Sequence, residues 1–600
     1  MKFDPDIILN ATQSAVFLSE RDVAGQIPLN FVTTSSVSLR AACFSNNIYD
    51  EDAAGRCISN LLTVGYRRLI VDLYWSPDER KWLLCPVSIP QDATVVSVSG
   101  TATETATATA TAINAAQATV TATASSSGSL LYELGSYRCT TKVDLDGLID
   151  VLRGLFQRTS TELTAYIRFV TFNLHAAASA AHPDEAASEL TGGQLPTGSD
   201  TLNSIFDHQL SSYVYTPSEL ASERANLNES WYEVDDSYKP IADYFTVDSD
   251  AKGIQSTPDG WPCGKFVQLA REKRLLVEYG TVDPQLQGYD LSAAHSLIFP
   301  AHYLSSTISI SVDAAGQLDS TCYYVPGAAG IADANSSWAI SDYIPIPTGQ
   351  SRNATIQEMS AVSVNLTACG LTPSLNDTLF NTTAADTITP YEQLSMATSW
   401  AWSIHQPADT STSSSDSDSD TSTNNHCAVM DLTLAGHWRA VNCSLTRHAA
   451  CRLGTAPFTW RLSATAHSFA DAYDHACPPN TSLSVPRTGV ENSFLYHYLL
   501  TQSDVLDPAA TATTKTEVWL DLNSLDVTSC WVTGGPDAGC PYAADPGELE
   551  RRTVLVAAIA GIVICIIAAL TLFVKCNANR RNSRRNKRVI KGWEYEGVPS

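Results

Sequence analysis

The chain has 600 residues and a formal net charge of -26. Because one hydrophobic core rarely serves more than about 250–300 residues, this length predicts several domains. The acidic balance excludes a nucleic-acid-binding surface over the whole chain, since phosphates would be repelled.

The N-terminal segment, 1–24, holds no strongly apolar run. A secretory signal peptide needs an apolar core of about 7–15 residues, and "MKFDPDIILNATQSAVFLSE" does not provide one. Since the rest of the sequence is typical of a secreted or membrane-bound chain, we expect the natural signal peptide to be missing from this sequence.

Strand and helix patterns alternate between residues 25 and 310. The predicted strands are 27–32, 66–75, 165–175 and 273–280, and the predicted helices are 57–65 and 144–158. Alternation of this kind indicates a parallel sheet with crossover helices. We therefore expect an α/β barrel-like N-terminal domain, a degenerate TIM-type barrel, over 25–310.

Three low-complexity tracts interrupt the chain at 101–129, 176–194 and 409–425. None of these tracts is apolar enough to order itself, so we interpret them as parts of loop insertions. The insertions, which include flanking residues, are expected at 92–129, 176–200 and 409–425. The alternating Thr-Ala run in the first tract is not counted as a strand, because neither of its faces is strongly apolar.

Polar residues stand at the ends of two predicted strands. Asp72 and His175 are candidate catalytic residues, because barrel enzymes keep their chemistry at the carboxyl ends of their strands. Arg168 is a candidate for the barrel interior. The alternative is that Asp72 hydrogen-bonds a loop and that His175 is an ordinary strand-end residue.

Nine Asn-X-Ser/Thr triplets without proline at X are candidate N-glycosylation sites. They are Asn10, Asn228, Asn335, Asn353, Asn365, Asn376, Asn381, Asn442 and Asn480. Four of them crowd into 353–383. We therefore expect residues 311–394 to be a glycosylated connecting region.

A cysteine- and tryptophan-rich stretch, "HCAVMDLTLAGHWRAVNCSLTRHAACR", starts at His426. Its histidines and cysteines offer nitrogen and sulfur ligands for zinc. In an oxidising compartment, however, thiols pair as disulfides. The choice between zinc ligands and disulfides depends on whether the stretch lies in a reducing or an oxidising compartment. We expect no metal or other cofactor in this protein.

The compartment is indicated by an uncharged run of 22 residues at 553–574. A spanning helix needs about 20 apolar residues, so the run predicts a transmembrane helix. Eight lysines and arginines follow in 575–600, which the positive-inside rule places in the cytoplasm as a short, basic, disordered tail. Residues 1–550 are then lumenal or extracellular. Thirteen cysteines precede the run, so one stays unpaired if all the others bond.

Several stretches resemble the fungal family called maintenance of telomere capping protein 6. They are "RDVAGQIPLNFV", "NLLTVGYRRLIVDLYW", "DGWPCGKFVQLAREKRLLVEYGTVDP" and "VWLDLNSLDVTSCWVTGG". The resemblance covers nearly the whole predicted ectodomain outside the low-complexity tracts. It implies a single-pass type I membrane glycoprotein with a signal peptide, connected with telomere capping.

The order of "RRLIVDLYW" and the later "FVTFNLH" also resembles barrels of the phosphatidylinositol-phospholipase type. That resemblance implies two histidines at strand ends that act as general acid and base around a phosphodiester. The first predicted strand, "IPLNFVTTSS", lacks a histidine where those barrels carry one. One histidine cannot perform both proton transfers without a substitute.

Residues 395–453 resemble the C-terminal half of a C-type lectin-like domain. The matching positions are Trp402, Gln406, Pro407, Ala408, Cys427, Trp438, Cys443 and Cys451. The resemblance implies a disulfide between Cys427 and Cys443, with Cys451 bonded to an earlier cysteine such as Cys369.

Calcium-binding members of that lectin-like group carry side-chain oxygens after the proline and after the second tryptophan. Here Ala408, Arg439 and Ala440 occupy those positions, and Asp409 alone offers a substitute. Because calcium takes six to eight oxygen ligands, we do not expect calcium-dependent sugar binding there.

Residues 454–545 resemble the N-terminal half of the same fold. The matching positions are Ser468, Ala472, Cys477, Pro486, Glu491, Asn492, Trp519 and Leu522. We expect two β-rich α+β lectin-like modules, in which the aromatic residues form cores rather than ligand platforms.

These patterns predict a non-catalytic lumenal or extracellular ectodomain that acts as a binding or scaffolding surface. We expect the membrane and a glycan or protein ligand as partners, no direct contact with nucleic acid, and only an indirect connection with telomere capping. The alternatives are a phosphodiesterase or other hydrolase that uses Asp72 and His175, and a carbohydrate-binding lectin-like receptor.

Overall fold

The computed structural model describes residues 1–89, 94–97, 119–124, 130–313, 317–318, 322–408, 425–542, 589–590 and 593–594. The chain divides into two compact units, Met1–Ala538 and Gly539–Ser600. The first unit carries a partial barrel and a β-rich module.

Seven short parallel strands outline the barrel. They are β1 (Ser36–Ser38), β2 (Arg68–Ser76), β3 (Arg168–Ala176), β4 (Leu275–Val282), β5 (Ser306–Ile308), β6 (Ala339–Ser341) and β7 (Ser374–Leu375). Hydrogen bonds join them in the order β4-β3-β2-β1-β7, and β5 pairs with β6. A parallel bridge between Ile340 and Thr372 connects the β5–β6 pair to the chain entering β7.

Alternation along β2 shows why the sequence forms a barrel wall. Leu69, Val71 and Leu73 are fully buried and belong to the main hydrophobic core. Ile70 and Asp72 have the opposite parity and line the cavity inside the barrel. Successive strand residues face opposite sides, so one face packs under the helices while the other presents polar groups to the barrel interior.

Helices surround the barrel and the module. They are Ala11–Val23, Leu39–Cys43, Glu51–Thr63, Leu145–Arg158, Leu202–Leu210, Pro217–Ala225, Arg352–Ala368, Thr389–Met396, Phe469–His475, Gly489–Leu500 and Thr513–Thr516. Asp50 caps the helix Glu51–Thr63 by accepting from the backbone of Asp52 and Ala53, which explains why this helix starts before the predicted 57–65.

The barrel differs from the expected 25–310 in both its start and its extent. Residues 27–32 form no strand but a 3-10 turn, Leu29–Phe31, because Pro28 has no N–H to donate to a ladder. The expected connecting region 311–394 supplies β6, β7 and two helices. Met359 and Leu366 of the helix Arg352–Ala368 are fully buried in the barrel core, so this stretch belongs to the domain.

Two of the inserted tracts contain described segments that are more ordered than their composition indicates. Part of the Thr-Ala run, Thr119–Ala124, is a strand between Thr94–Ser97 and Leu130–Leu134, contrary to our expectation. Thr-rich segments have high β propensity, and backbone pairing does not require an apolar face. The second tract packs on the barrel, where the backbone of Gln194 accepts from the indole of Trp75. Residues 98–118, 125–129 and 409–424 lie outside the described part.

The β-rich module is built on a second sheet. Its strands are β8 (Asn425–Asp431), β9 (Trp438–Asn442), β10 (His448–Leu453), β11 (Trp460–Leu462), β12 (Thr481–Leu483) and β13 (Glu517–Asn523). The order is β9-β8-β13-β10-β11, with β12 on β10. Because β13 lies between β8 and β10, the two segments that we expected to be separate modules share one sheet.

Disulfides join distant parts of both domains. Cys43 bonds Cys57, Cys85 bonds Cys139, Cys322 bonds Cys369, Cys427 bonds Cys443, and Cys451 bonds Cys477. The Cys427–Cys443 bond is the one that the lectin-like resemblance implies. The expected Cys369 partner of Cys451 was wrong, because β10 places Cys451 beside β12, which follows Cys477. The free thiol among the described cysteines is the buried Cys263.

The predicted membrane helix, 553–574, lies outside the described residues. Within the described residues, no helix is both long enough and apolar enough to cross a membrane. Of the basic tail, the structure describes the strand pair Val589–Ile590 and Trp593–Glu594.

Candidate functional site at the mouth of the barrel

A polar cavity of about 390 Å³ opens where the barrel strands end. Every strand from β1 to β7 contributes residues to its wall, either from within the strand or from next to it. The lining residues are Ser38, Arg40, Ile70, Asp72, Thr171, Asn173, Gly280, Thr281, His302, Ser305, Thr307, Ile340, Ser341, Asp342, Ser374 and Asn376. We call this cavity the barrel mouth; barrel enzymes place their sites at this end.

Asp72 and Asn173 are held side by side in the wall of the mouth. They are register partners on β2 and β3, and the Asn173 amide donates to Asp72 Oδ1 at 2.8 Å. The Asn173 Oδ1 accepts from the backbone N–H of Thr281 at 3.0 Å and from its hydroxyl at 3.1 Å. A Cβ at position 280 would collide with Asn173 Oδ1, so Gly280 is needed for this close approach.

His175 lies one layer above, between two carboxylates. Its Nδ1 is 2.8 Å from Asp283 Oδ2, and its Nε2 is 3.8 Å from Asp72 Oδ1. The ring stacks on Tyr74 with a centroid distance of 4.8 Å, which fixes its plane. The sequence-predicted pair Asp72 and His175 is therefore brought together in space.

The charges of this cluster stabilise one another. Burial alone raises the pKa of Asp72, but the nearby His175 ring and the hydrogen bond from Asn173 bring it below its ordinary value. Burial alone lowers the pKa of His175, but the hydrogen bond with Asp283 and the negative charges of Asp283 and Asp72 raise it above its ordinary value. The cluster therefore favours an ionised carboxylate beside an imidazolium, which is an ion pair rather than an acid poised next to a base.

The sequence did not reveal several residues of the mouth. Arg40 and Asp283 follow β1 and β4, neither of which had been placed precisely enough to give its end. Asn173 lies two residues before His175 on β3, so both side chains face the same side of the sheet. This shared face was the sequence signal that could have identified Asn173 as a mouth residue. Arg168 is not in the mouth: its guanidinium donates to the carbonyl of Leu62 at the end of the helix Glu51–Thr63.

The loop around Gln406 and the strand β9, where the lectin-like resemblance implied calcium ligands, offer few free side-chain oxygens among the described residues. The side-chain oxygen of Gln406 accepts from the backbone N–H groups of Ala408 and Ala440, both at 3.1 Å. The Arg439 guanidinium pairs with Asp431 at 3.3 Å and also with Glu517. These contacts tie the proline loop to β9, and Asp409 lies outside the described residues.

Comparison with known proteins identifies relatives across yeasts. A chain from Candida albicans (strain WO-1) called "Maintenance of telomere capping protein 6" is 24% identical over 99% of this chain and 95% of its own length. A chain of the same name from Saccharomyces cerevisiae (strain S288c) is 27% identical over 74% of this chain and 76% of its own. No solved structure gives a significant match.

A family model described as the MTC6 partial TIM-barrel domain matches residues 7–402. This range agrees with the seven-stranded barrel and includes the strands after residue 310 that sequence patterns missed. Since the match covers more than half of the chain, this chain belongs to the family of MTC6 partial TIM-barrel proteins.

Proposed function

We propose that the chain is a non-catalytic binding protein whose barrel mouth holds a polyhydroxylated ligand, such as the end of a glycan. The observation that carries this proposal is the lining of the mouth. Hydroxyls, amides and carboxylates alternate around it, among them Asp72, Asn173, Thr281 and Asp342. Such groups both donate to and accept from sugar hydroxyls, and they fix orientation in a largely preformed pocket.

Binding without turnover agrees with the electrostatics of the cluster. A general base works best with a pKa near the operating pH. Asp72 has a pKa below its ordinary value, and the two nitrogens of His175 face Asp283 and Asp72. The strand β1, Ser36–Ser38, carries no histidine, and Ser38 and Arg40 line the mouth at its end.

Titration calorimetry on the purified full chain tests this function. The probes are mannobiose and myo-inositol, and the matched variants are Asp72→Asn in the mouth and Arg439→Gln in the β-rich module. We expect saturable binding that Asp72→Asn weakens at least tenfold and Arg439→Gln leaves unchanged. If neither probe binds saturably, a ligand site in the mouth is contradicted. The same holds if Arg439→Gln loses binding while Asp72→Asn keeps it.

A hydrolase is the second candidate, favoured by the approach of His175 to Asp72 at the strand ends. Turnover of bis(p-nitrophenyl) phosphate by the purified chain decides between the two. Turnover that His175→Ala abolishes would replace binding with catalysis as the function of the mouth. We expect none above the level of the His175→Ala variant.

We further propose a single-pass type I membrane glycoprotein with a lumenal or extracellular ectodomain. Two observations support this topology: twelve of the thirteen cysteines before residue 553 are disulfide-bonded, and seven of the nine candidate asparagines are exposed. Disulfides of this kind persist in oxidising compartments. A mass decrease on treatment with an N-glycosidase is expected, and an unglycosylated ectodomain would overturn the topology.

The relatives' name connects them with the maintenance of telomere capping. We propose that this chain contributes to the same process indirectly, through its binding or scaffolding surface, because a lumenal ectodomain does not contact chromatin. In yeast that lacks its own relative, the parent chain is expected to restore capping and Asp72→Asn to fail. If Asp72→Asn restores capping as well as the parent does, ligand binding at the mouth is not needed for telomere capping.

A further inference from the structure

The opposite end of the barrel, at the start of β2 and β3, is unusually cationic for so acidic a chain. Five cations gather there around Tyr166 and a small cleft, accompanied by the carboxylates of Glu20 and Asp22. The cations are Arg21, Arg67, Arg168, Lys265 and Arg274. We call the cleft the floor cleft. Its volume is about 60 Å³, and its apolar wall includes Leu29, Ile167 and Phe169.

Two of the cations that line the floor cleft make no direct ion pair with the described residues. The Arg67 guanidinium stacks on Tyr166, with 4.2 Å between its carbon and the ring centroid, but makes no hydrogen bond or ion pair with the described residues. The Lys265 ammonium likewise has no such partner in the described part of the chain. The Lys265 stem crosses the face of Gly25, where a Cβ would collide with it.

The neighbouring Arg168 shows that this end of the barrel is under-neutralised. Arg168 is 5% exposed, and its Nε and Nη1 are buried without a hydrogen-bond partner among the described residues. Burial and the charges of Arg67 and Arg274 lower its pKa to about 9. Burial likewise lowers the pKa of Arg67. Buried cations without partners are costly, so a bound anion would relieve this arrangement.

Glu20 does not supply the missing charge in full. Its carboxylate accepts from the hydroxyl of Ser399 and from the backbone N–H groups of Trp400 and Ala401. Burial raises the pKa of this carboxyl above its ordinary value. Glu20 therefore serves mainly to hold the N-terminal helix against the Trp400 segment.

We propose that the floor cleft is a binding site for a compact oxyanion of the phosphate class, held between Arg67 and Lys265. One water molecule needs about 10–15 Å³ of cavity volume. The floor cleft, at about 60 Å³, therefore has room for the few atoms of one phosphate group. Arginine offers planar paired donors to a phosphate and lysine a point charge. The apolar wall suits the ester-linked carbon of a phosphate monoester, whether free or the headgroup of a lipid.

Titration calorimetry of inorganic phosphate into the full chain at low ionic strength tests the site. We expect saturable binding that Arg67→Met and Lys265→Met each weaken at least tenfold. The matched control is Arg461→Met, which removes an exposed arginine of β11 in the β-rich module and is expected to bind phosphate like the parent. A circular dichroism spectrum shows whether each variant is folded. If Arg67→Met unfolds, the phosphate affinity of Lys265→Met tests the site instead.

Vesicles distinguish the two sources of the phosphate. Flotation with phosphatidylcholine vesicles, with and without phosphatidic acid, shows whether a lipid headgroup enters the cleft. Binding that requires both phosphatidic acid and Arg67 assigns a headgroup, and binding of inorganic phosphate alone assigns a free phosphate. No saturable binding of either, or equal binding by the parent and Arg67→Met, overturns the proposal. Neither outcome affects the glycan site at the mouth.

Discussion

At the scale of single residues, the mouth depends on side chains that fix one another. Asp72 and Asn173 share a hydrogen bond, and His175 faces both Asp72 and Asp283. Their positions near the ends of the predicted strands 66–75 and 165–175 predicted that Asp72 and His175 would lie at the carboxyl end of the sheet. The sequence did not predict Asp283, because no sequence pattern placed the residues after β4 within reach of β3.

The ionisation of His175 gives a pH dependence with a defined sign. Its folded-state pKa is raised, so its stabilising contribution is fully present below the unfolded value of about 6.5 and is lost as the pH rises through the folded-state pKa. The free energy of unfolding of the parent relative to His175→Gln is expected to be constant below about pH 6.5 and to fall as the pH rises above it. A difference that stays flat or grows with pH would contradict this assignment, and NMR on Asp283→Asn should show a lower His175 pKa than the parent.

Gly280 gives the second prediction at this scale. In Gly280→Ala the new methyl meets Asn173 Oδ1, so the amide must move away from Thr281 and Asp72. We expect a loss of about 1–3 kcal/mol in the free energy of unfolding, as for overpacked sites, and weaker binding of mannobiose. Gly193→Ala is the matched control, because nothing lies within 4 Å of its Cβ. Equal stability of the two variants would show that Asn173 tolerates displacement.

At the scale of elements, sequence patterns located the long strands and missed the short ones. The predictions 66–75, 165–175 and 273–280 correspond to β2, β3 and β4 within a few residues. Long strands with a continuous buried face leave a strong pattern, whereas β5, β6 and β7 have two or three residues each and little local signal. Their place in the barrel comes from pairing with distant segments, which the local sequence does not encode.

The central position of β13 predicts that the β-rich module needs both of its segments. A chain ending at residue 453 lacks β13, which pairs with β8 on one side and β10 on the other. We expect its 425–453 region to be cleaved by trypsin under conditions in which a chain ending at 542 resists. Protection of that region in the shorter chain would mean that the first segment folds alone.

A buried charge cluster joins the barrel domain to the β-rich module. Glu491 is fully buried, lies 2.7 Å from Arg487, and accepts from the hydroxyl of Tyr244. Removing one partner of a buried pair costs about 3–5 kcal/mol, so Glu491→Gln should lower the free energy of unfolding in chemical denaturation by that order. The exposed pair of Asp236 and Lys239 is the control, and Asp236→Asn should change it by less than about 1 kcal/mol. Equal effects would show that the cluster does not hold the two domains together.

At the scale of the whole molecule, the family match and the disulfide pairing describe the domain organisation more completely than local sequence patterns do. Sequence counting predicted one unpaired cysteine before 553, and the structure leaves Cys263 free among the described cysteines. It could not predict that Cys451 pairs with Cys477, since that bond depends on the two lectin-like segments closing into one sheet.

The central claim is that the mouth, and not the β-rich module, receives the ligand. Hydrogen–deuterium exchange of the full chain with and without saturating mannobiose tests it most directly. We expect slower exchange in the mouth around Asn173, Thr281 and Ser341, and no change at β8 and β9. Slower exchange confined to β8, β9 and the Gln406 loop, or none at the mouth, would contradict it.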